Sequence, residues 1–363
     1  MPLVIDAHTH LIAPDALYAF RSTLLVSRGL HIKSKPEIPD EQLAKSAAHG
    51  ISLMNAVGTD MQVISPRPFQ LMHSHQRTKD VQIWIQANND LIARTVAMHP
   101  DRFSGVGALP QVGGKPVEIV FDEIDRCIDE LGFVGVLVNP DPGEGDGQTP
   151  NLGDEYWYPL WEKLVEKDIP VHIHGAACYG RENYSEHYIS EESLAITSIA
   201  RSKVFADFPR LKMMISHGGG SIPYQIGRWR AERLGLQATW GGAPPVAHKD
   251  GQVGQVVAAD AFDPDEPFEK TLRRFWFDTV LYDRDTLELL FKKVGADRCL
   301  FGTERPGGGS AIDPASGRAL DDLKPVIESL ESLSEAEKAG IFEGNVRSFY
   351  TRLNESLSKK AGK

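Results

Sequence analysis

Three short pieces of the chain hold residues that can act together on a metal ion. Ile5-Asp6-Ala7-His8-Thr9-His10 stands at the N-terminus, His172-Ile173-His174 in the middle, and Phe301-Gly302-Thr303-Glu304 near the C-terminus. Each closes an apolar, strand-like run. Together they supply three histidines and a carboxylate, the ligand set of a metal site that keeps one position open for water. His8 and His10 are two residues apart, and the period of two in a strand turns both imidazoles to the same side. The structural alternative is a pair of ordinary strand-end histidines. His172 and His174 repeat the spacing; the later one lies nearer the strand end and is the better ligand, with His172 one layer deeper as a supporting donor. Glu304 either completes the ligand set or takes a proton from water, its alternative being a helix cap or a salt-bridged barrel carboxylate. His217, which ends the sixth strand-like run in Ile215-Ser216-His217-Gly218-Gly219-Gly220, is a further ligand or a general acid/base, and the second role is preferred. Zinc suits three imidazoles and one carboxylate best, with manganese as the alternative.

The elements that must position these residues are legible as eight strand-like runs. They are Leu3–Ala7, Met61–Ser65, Phe103–Leu109, Phe133–Val138, Val171–His174, Leu211–His217, Phe275–Val280 and Cys299–Gly302. Most are continuously apolar rather than alternating, as parallel strands covered on both faces require. Helical stretches lie between them. Pro116 opens one with an apolar stripe of Val120, Phe121, Ile124, Ile128 and Leu131, and Gly132 can close it. Glu155–Lys167 is a second, and Ser334 with Glu337 forms a capping box for a third that runs to Phe349. Strand–helix alternation eight times over predicts an α/β fold, a (β/α)8 TIM barrel whose catalytic mouth gathers the strand C-termini. Three segments exceed an ordinary loop: 11–57 after strand 1, expected to hold helices, 178–195 after strand 5, and the Gly-, Pro- and acid-rich 235–270 after strand 6. None reads as an interdomain linker, so 1–363 is expected to be a single barrel domain with insertions.

Other residues at strand ends are candidates with competing readings. Arg67, in Ser65-Pro66-Arg67-Pro68, suits bidentate binding of a substrate carboxylate, against a surface arginine in a Pro-rich turn. Asn139 can donate to a carboxylate or cap its own Asn-Pro turn. Either His73 or His75 can line the pocket, although a solvated helix start suits at least one of them. Gly307-Gly308-Gly309 reads as a loop before an anion nest, and Cys127 and Cys299 as core.

The 363 residues carry a formal net charge of −11, with 41% hydrophobic and 25% charged residues. A folded core is expected. The acidic balance argues against a nucleic-acid partner, which needs clustered Lys and Arg, but not against a small carboxylate substrate. Three cysteines without metal or disulfide spacing, and an N-terminus unlike a signal peptide, predict a cytoplasmic protein. No run reaches the ~20 apolar residues of a membrane helix. An acidic barrel with a long first insertion suggests a homodimer or higher homo-oligomer.

With these residues in view, the chain resembles the amidohydrolase superfamily, in the branch related to aminocarboxymuconate-semialdehyde decarboxylase, and within it the 4-oxalomesaconate hydratases. The resemblance covers nearly the whole chain. It rests on Gly132-Phe133-Val134-Gly135, Asn139-Pro140-Asp141-Pro142, Tyr156-Trp157-Tyr158-Pro159-Leu160-Trp161-Glu162-Lys163, His187-Tyr188, His217 through Tyr224, Gly302-Thr303-Glu304, and Ile312-Asp313-Pro314 with Gly317 and Asp321-Asp322. It implies a single zinc ion held by His8, His10, His174 and Glu304, with His217 and Tyr188 near the substrate. Binuclear members carry a lysine at the end of strand 4, where this chain has Leu137-Val138-Asn139-Pro140. Decarboxylases of the branch usually have aspartate at the position of Glu304, so the glutamate leans towards the hydratases. The cysteine-bearing insert of the hydratases is shorter here and keeps only Cys178, which leaves the substrate open. The implied reaction is addition of water to a C=C of an unsaturated oxo-tricarboxylate in aromatic-acid breakdown, with Arg67 and Asn139 anchoring carboxylates and Glu304 or His217 relaying protons. The alternatives are non-oxidative decarboxylation of an aromatic or muconate-type acid, hydrolysis of a lactone or amide, and a binding-only role that would leave the metal ligands without purpose.

Overall fold

Eight apolar runs too short to be stable alone pair edge to edge, all parallel, in the order β1 to β8. The strands are β1 (Ile5–His10), β2 (Met61–Ser65), β3 (Phe103–Ala108), β4 (Gly135–Val138), β5 (Val171–Ile173), β6 (Met213–Ile215), β7 (Trp276–Asp278) and β8 (Cys299–Leu300). The computed structural model describes residues 3–27, 32, 34–177, 180–240 and 268–361. The sheet closes on itself: the Ala7 N–H donates to Phe301 O at 2.8 Å and the Glu304 N–H to His8 O at 2.7 Å. Across the same seam Asp6 Oδ1 accepts from the Thr303 N–H at 3.0 Å and Asp6 Oδ2 from the Thr303 hydroxyl at 2.5 Å. The expected (β/α)8 TIM barrel is therefore present, and closure leaves no free sheet edge.

Helices cover the barrel because their apolar stripes match its outer face. In Asp40–Ala56, Leu43, Ala47, Gly50 and Met54 are buried, spaced as one face of a helix demands. Among the described residues the segment 11–57 thus holds two helices, Asp15–Ser27 and Asp40–Ala56. The stretch after Pro116 begins as a 3-10 turn, becomes α-helical over Phe121–Asp125 and ends in a π turn, Arg126–Glu130. Gly132 follows with φ 69°, the left-handed exit that glycine makes without strain. The Ser334–Glu337 capping box forms as expected.

The segment 178–195 corrects the sequence reading. Most of it is an ordinary crossover helix, Tyr184–Ala200, opened by an Asn183/Glu186 capping box. Cys178 lies outside the described residues, as does 241–267 of the third insertion. Every strand but β2 also differs at one or both bounds, and two of these differences bear on the site. β1 runs three residues further than expected and takes in His8 and His10, whereas β8 stops at Leu300, four residues short of Glu304.

Candidate active site

β1 delivers His8 and His10 to the barrel centre, both buried. His8 Nδ1 lies 2.6 Å from Asp278 Oδ2. A carboxylate only accepts, so Nδ1 carries the proton and the Nε2 lone pair is free to bind. His174 is fixed the same way, with its Nδ1 2.6 Å from Gly175 O. His10 Nδ1 faces Ser65 Oγ at 3.0 Å; that hydroxyl points its proton at carbonyls of Thr9 and Pro66, so it accepts from His10. The three remaining nitrogens, Nε2 of His8, His10 and His174, are buried without a hydrogen-bond partner. Unpartnered buried acceptors are costly, and three lone pairs beside a carboxylate are what a divalent cation takes. The donor set fits the metal that the sequence implied.

Glu304 stands among these rings. Its Oε1 is 3.6 Å from His10 Nε2 and 3.7 Å from His217 Nε2, and its Oε2 accepts from the Tyr282 hydroxyl at 3.0 Å. Ligand atoms of His8, His174, His217 and Glu304 all lie within 4.8 Å of one another, a grouping that takes in His217 and leaves out His10. His217 sits just beyond β6, at the start of the His217–Gly219 turn. Its Nδ1 is held by both oxygens of the buried Glu192, at 2.9 and 3.0 Å. Gly218, Gly219 and Gly220 follow with φ of 61°, 85° and 61°, so the glycines serve the tight turn; a Cβ on Gly219 would meet the Phe277 ring at 2.7 Å.

Burial and charge act in opposite directions here. Desolvation draws His10 down to about 4 and His174 well below the usual imidazole range, so both stay neutral near pH 7. Burial opposes charge on His217 as well, but Glu192 and then Glu304 overcome it and raise His217. Burial opposes charge on Glu304 in turn, but the imidazoles of His10 and His217 beside it hold it well below the carboxylate range.

Above the cluster opens a cleft of ≈ 460 Å³ lined by His10, Arg67, Phe69, Tyr184, Tyr188 and Glu304, among others. Tyr188 stacks on His217, ring centroids 5.8 Å apart, and meets His174 edge-on at 4.9 Å. Arg67 is half-buried and, among the described residues, makes no ion pair. The structure does not bring Asn139 and His73 to this cleft. Both are fully buried. The Asn139 amide donates to Asp141 O at 2.9 Å and lies 3.2 Å from His73 Nδ1, while His73 Nε2 donates to Leu109 O at 3.0 Å. Their polar atoms are consumed internally, so the expected carboxylate contacts fail for lack of a free donor. His172 lies below the centre, its Nε2 2.7 Å from Ser216 Oγ, and Arg305 turns away into a buried pair with Asp321.

Three residues at the centre were not singled out from the sequence. Asp278 holds His8 and the N–H groups of His217 and Gly218; a carboxylate inside the apolar run Phe275–Val280 was its signal. Glu192 stands four residues after Tyr188, on the same helix face. Tyr282 left no sequence signal.

The family model for amidohydrolases matches residues 5–352. The chain belongs to the amidohydrolase family. Over 367 aligned residues this amidohydrolase is 33% identical to the 2-keto-4-carboxy-3-hexenedioate hydratase of Sphingobium sp., covering 99% of both chains. It superposes on the crystal structure of a 4-oxalomesaconate hydratase from Rhodopseudomonas palustris with TM-score 0.81, 31% identity and 99% of each chain covered. It is also 26% identical to the 2-amino-3-carboxymuconate-6-semialdehyde decarboxylase of Dictyostelium discoideum, over 96% of this chain and 91% of that one. Its relatives are thus hydratases and decarboxylases, and the protein is an enzyme of a metal-dependent superfamily. No helix among the described residues is long and apolar enough to cross a membrane.

Proposed function

We propose that this amidohydrolase is a metal-dependent hydro-lyase that adds water to the C=C of an unsaturated oxo-tricarboxylate, of the type represented by 4-oxalomesaconate. The observation that carries the reading is the placement of Glu304: one carboxylate faces His10, His217 and Tyr282 at the floor of a cleft whose one lining cation among the described residues is Arg67. Full-length likeness to two hydratases favours hydration over decarboxylation.

In this reading His8, His10, His174 and Glu304 hold one zinc ion, with manganese as the alternative. A divalent ion there supplies Lewis acidity. Arg67 forks onto a substrate carboxylate, and the cleft volume suits a small, densely charged acid. Addition needs a base to take a proton from water as the C–O bond forms, and an acid to return one to the carbon beside the carbonyl. Glu304 and His217 face each other across 3.7 Å and divide those two roles. Glu192, bonded to Nδ1, keeps His217 Nε2 turned towards the reacting centre, and Tyr188 shields that face from water. The assembly in this reading is a homodimer or higher homo-oligomer.

The test mixes metal-loaded enzyme with oxalomesaconate and, separately, with hydroxybenzoates. Loss of the enone absorbance without CO2 is the expected result; CO2 release from either substrate would replace hydration by decarboxylation, the reaction of the Dictyostelium relative. His217→Asn and Glu304→Gln should each lose at least ~10²-fold in kcat, and His217→Asn should keep its metal. A His217→Asn protein that loses the ion would make His217 a ligand.

A further inference from the structure

A second group of ligand atoms stands apart from the centre just described. Asp141, in the segment that leaves β4, and His187 and Glu191, one turn apart on the Tyr184–Ala200 helix, bring their side-chain donors within 4.8 Å of one another. The i, i+4 spacing puts His187 and Glu191 on one helix face.

His187 is 2% exposed. Neither of its ring nitrogens has a hydrogen-bond partner, and Glu182 Oε1 stands 3.6 Å from Nδ1, beyond hydrogen-bond reach. A buried imidazole with no hydrogen bond at either nitrogen stands in a space faced by carboxylates. Glu191, for its part, is in no ion pair among the described residues, and the charges nearest it are the carboxylates of Asp141, Glu182 and Glu192. The Asp141 carboxylate is already oriented, because the Gly143 and Gly145 N–H groups donate to its two oxygens at 3.1 and 2.5 Å and fix their direction. Burial, and then the charge of Asp141, push Glu191 up to about 7. Two carboxylates in this setting call for a shared proton or a cation, and the buried imidazole without a hydrogen bond favours the cation.

We propose that Asp141, His187 and Glu191 form a second divalent-cation site, for a first-row metal such as Mn2+ or Zn2+, on the flank of the helix that carries Tyr188 and Glu192. One imidazole and two carboxylates suit such ions. Bound there, the cation ties the segment after β4 to that helix and holds Tyr188 and Glu192 in place against His217. The site is independent of which reaction the main centre performs.

The full-length protein is loaded with Zn2+, freed of unbound ion, and titrated with Mn2+. Protein-bound zinc is counted by mass spectrometry, and bound manganese by loss of the free-ion EPR signal. Zinc and manganese together should reach two per chain in the wild type and one in Glu191→Gln and in His187→Asn, with circular dichroism unchanged. Glu191→Gln is isosteric and relieves like-charge repulsion, so it carries the test if His187→Asn fails to fold. A wild-type total of one, as a shared proton between Asp141 and Glu191 would give, overturns the proposal. So does a total of two retained in Glu191→Gln.

Discussion

Asp278 decides which nitrogen of His8 carries the proton, and in doing so decides whether His8 can bind a cation. Its carboxylate also holds the N–H groups of His217 and Gly218, so one side chain orients two members of the centre. Asp278→Asn can present its amide N–H to His8 and invert that tautomer; metal affinity should fall ~10–100-fold, measured by chelator competition, with the fold retained. Glu192→Gln removes the carboxylate hydrogen-bonded to His217 Nδ1. We expect kcat to fall ~10-fold or more with KM and metal content little changed; an equal fall in metal content would mean that Glu192 supports ligation instead. Legibility at this scale followed the direction of the signal. His8, His10, His174, His217 and Glu304 announce themselves because they close apolar runs. Asp278 does so only weakly. Glu192 and Tyr282 look like any helix acid or loop aromatic until the chain is folded, since their roles lie in contacts 25 and 22 residues away. Asn139 and His73 erred the other way: polar residues near a strand end, they satisfy each other instead of a substrate.

Among the elements, strand identity was readable and strand ends were not. Buried parallel strands are apolar throughout, so composition finds them, but where pairing stops depends on the neighbour. β1 extends to His10 because Ser65 of β2 is there to pair with it, and β8 ends at Leu300 because the chain turns to bring Thr303 and Glu304 to β1. The helix within 178–195 was not legible because it is amphipathic only in part: polar Glu192 and His187 lie on its buried side. β3 offers a test of how tightly such elements pack. A Cβ on Gly105 would come within 2.5 and 2.6 Å of two atoms of the Phe133 ring. Gly105→Ala should therefore destabilise by ~1–3 kcal/mol, seen as a lower thermal midpoint. An unchanged midpoint would show that the Phe133 ring can yield.

For the whole molecule, His73 is a buried contributor to the acid limb of stability, away from the centre. An imidazole in the unfolded chain titrates near 6.5, whereas burial lowers His73 to about 3. Its Nδ1 already accepts from Asn139, so a proton there would break that bond. Between these two values the unfolded chain takes up a proton that the folded protein refuses. Stability should thus fall as pH drops below ~6.5, by up to ~1.4 kcal/mol per pH unit, and level off near 3. His73→Gln should flatten that slope in denaturant titrations between about pH 6.5 and 4. The same global measurement bears on the three residues that meet at the Glu304 carboxylate. His217, Tyr282 and Glu304 have φ of 49°, 58° and 57°, a left-handed backbone that costs a side chain ~1 kcal/mol or more. Glu304→Gly should be more stable than Glu304→Ala by ~1 kcal/mol, because glycine alone sheds that strain. Selection on heat resistance alone would therefore drift towards glycine where the chemistry is done, and a thermostability screen of this enzyme must hold these three positions constant or it will enrich for well-folded, inactive barrels.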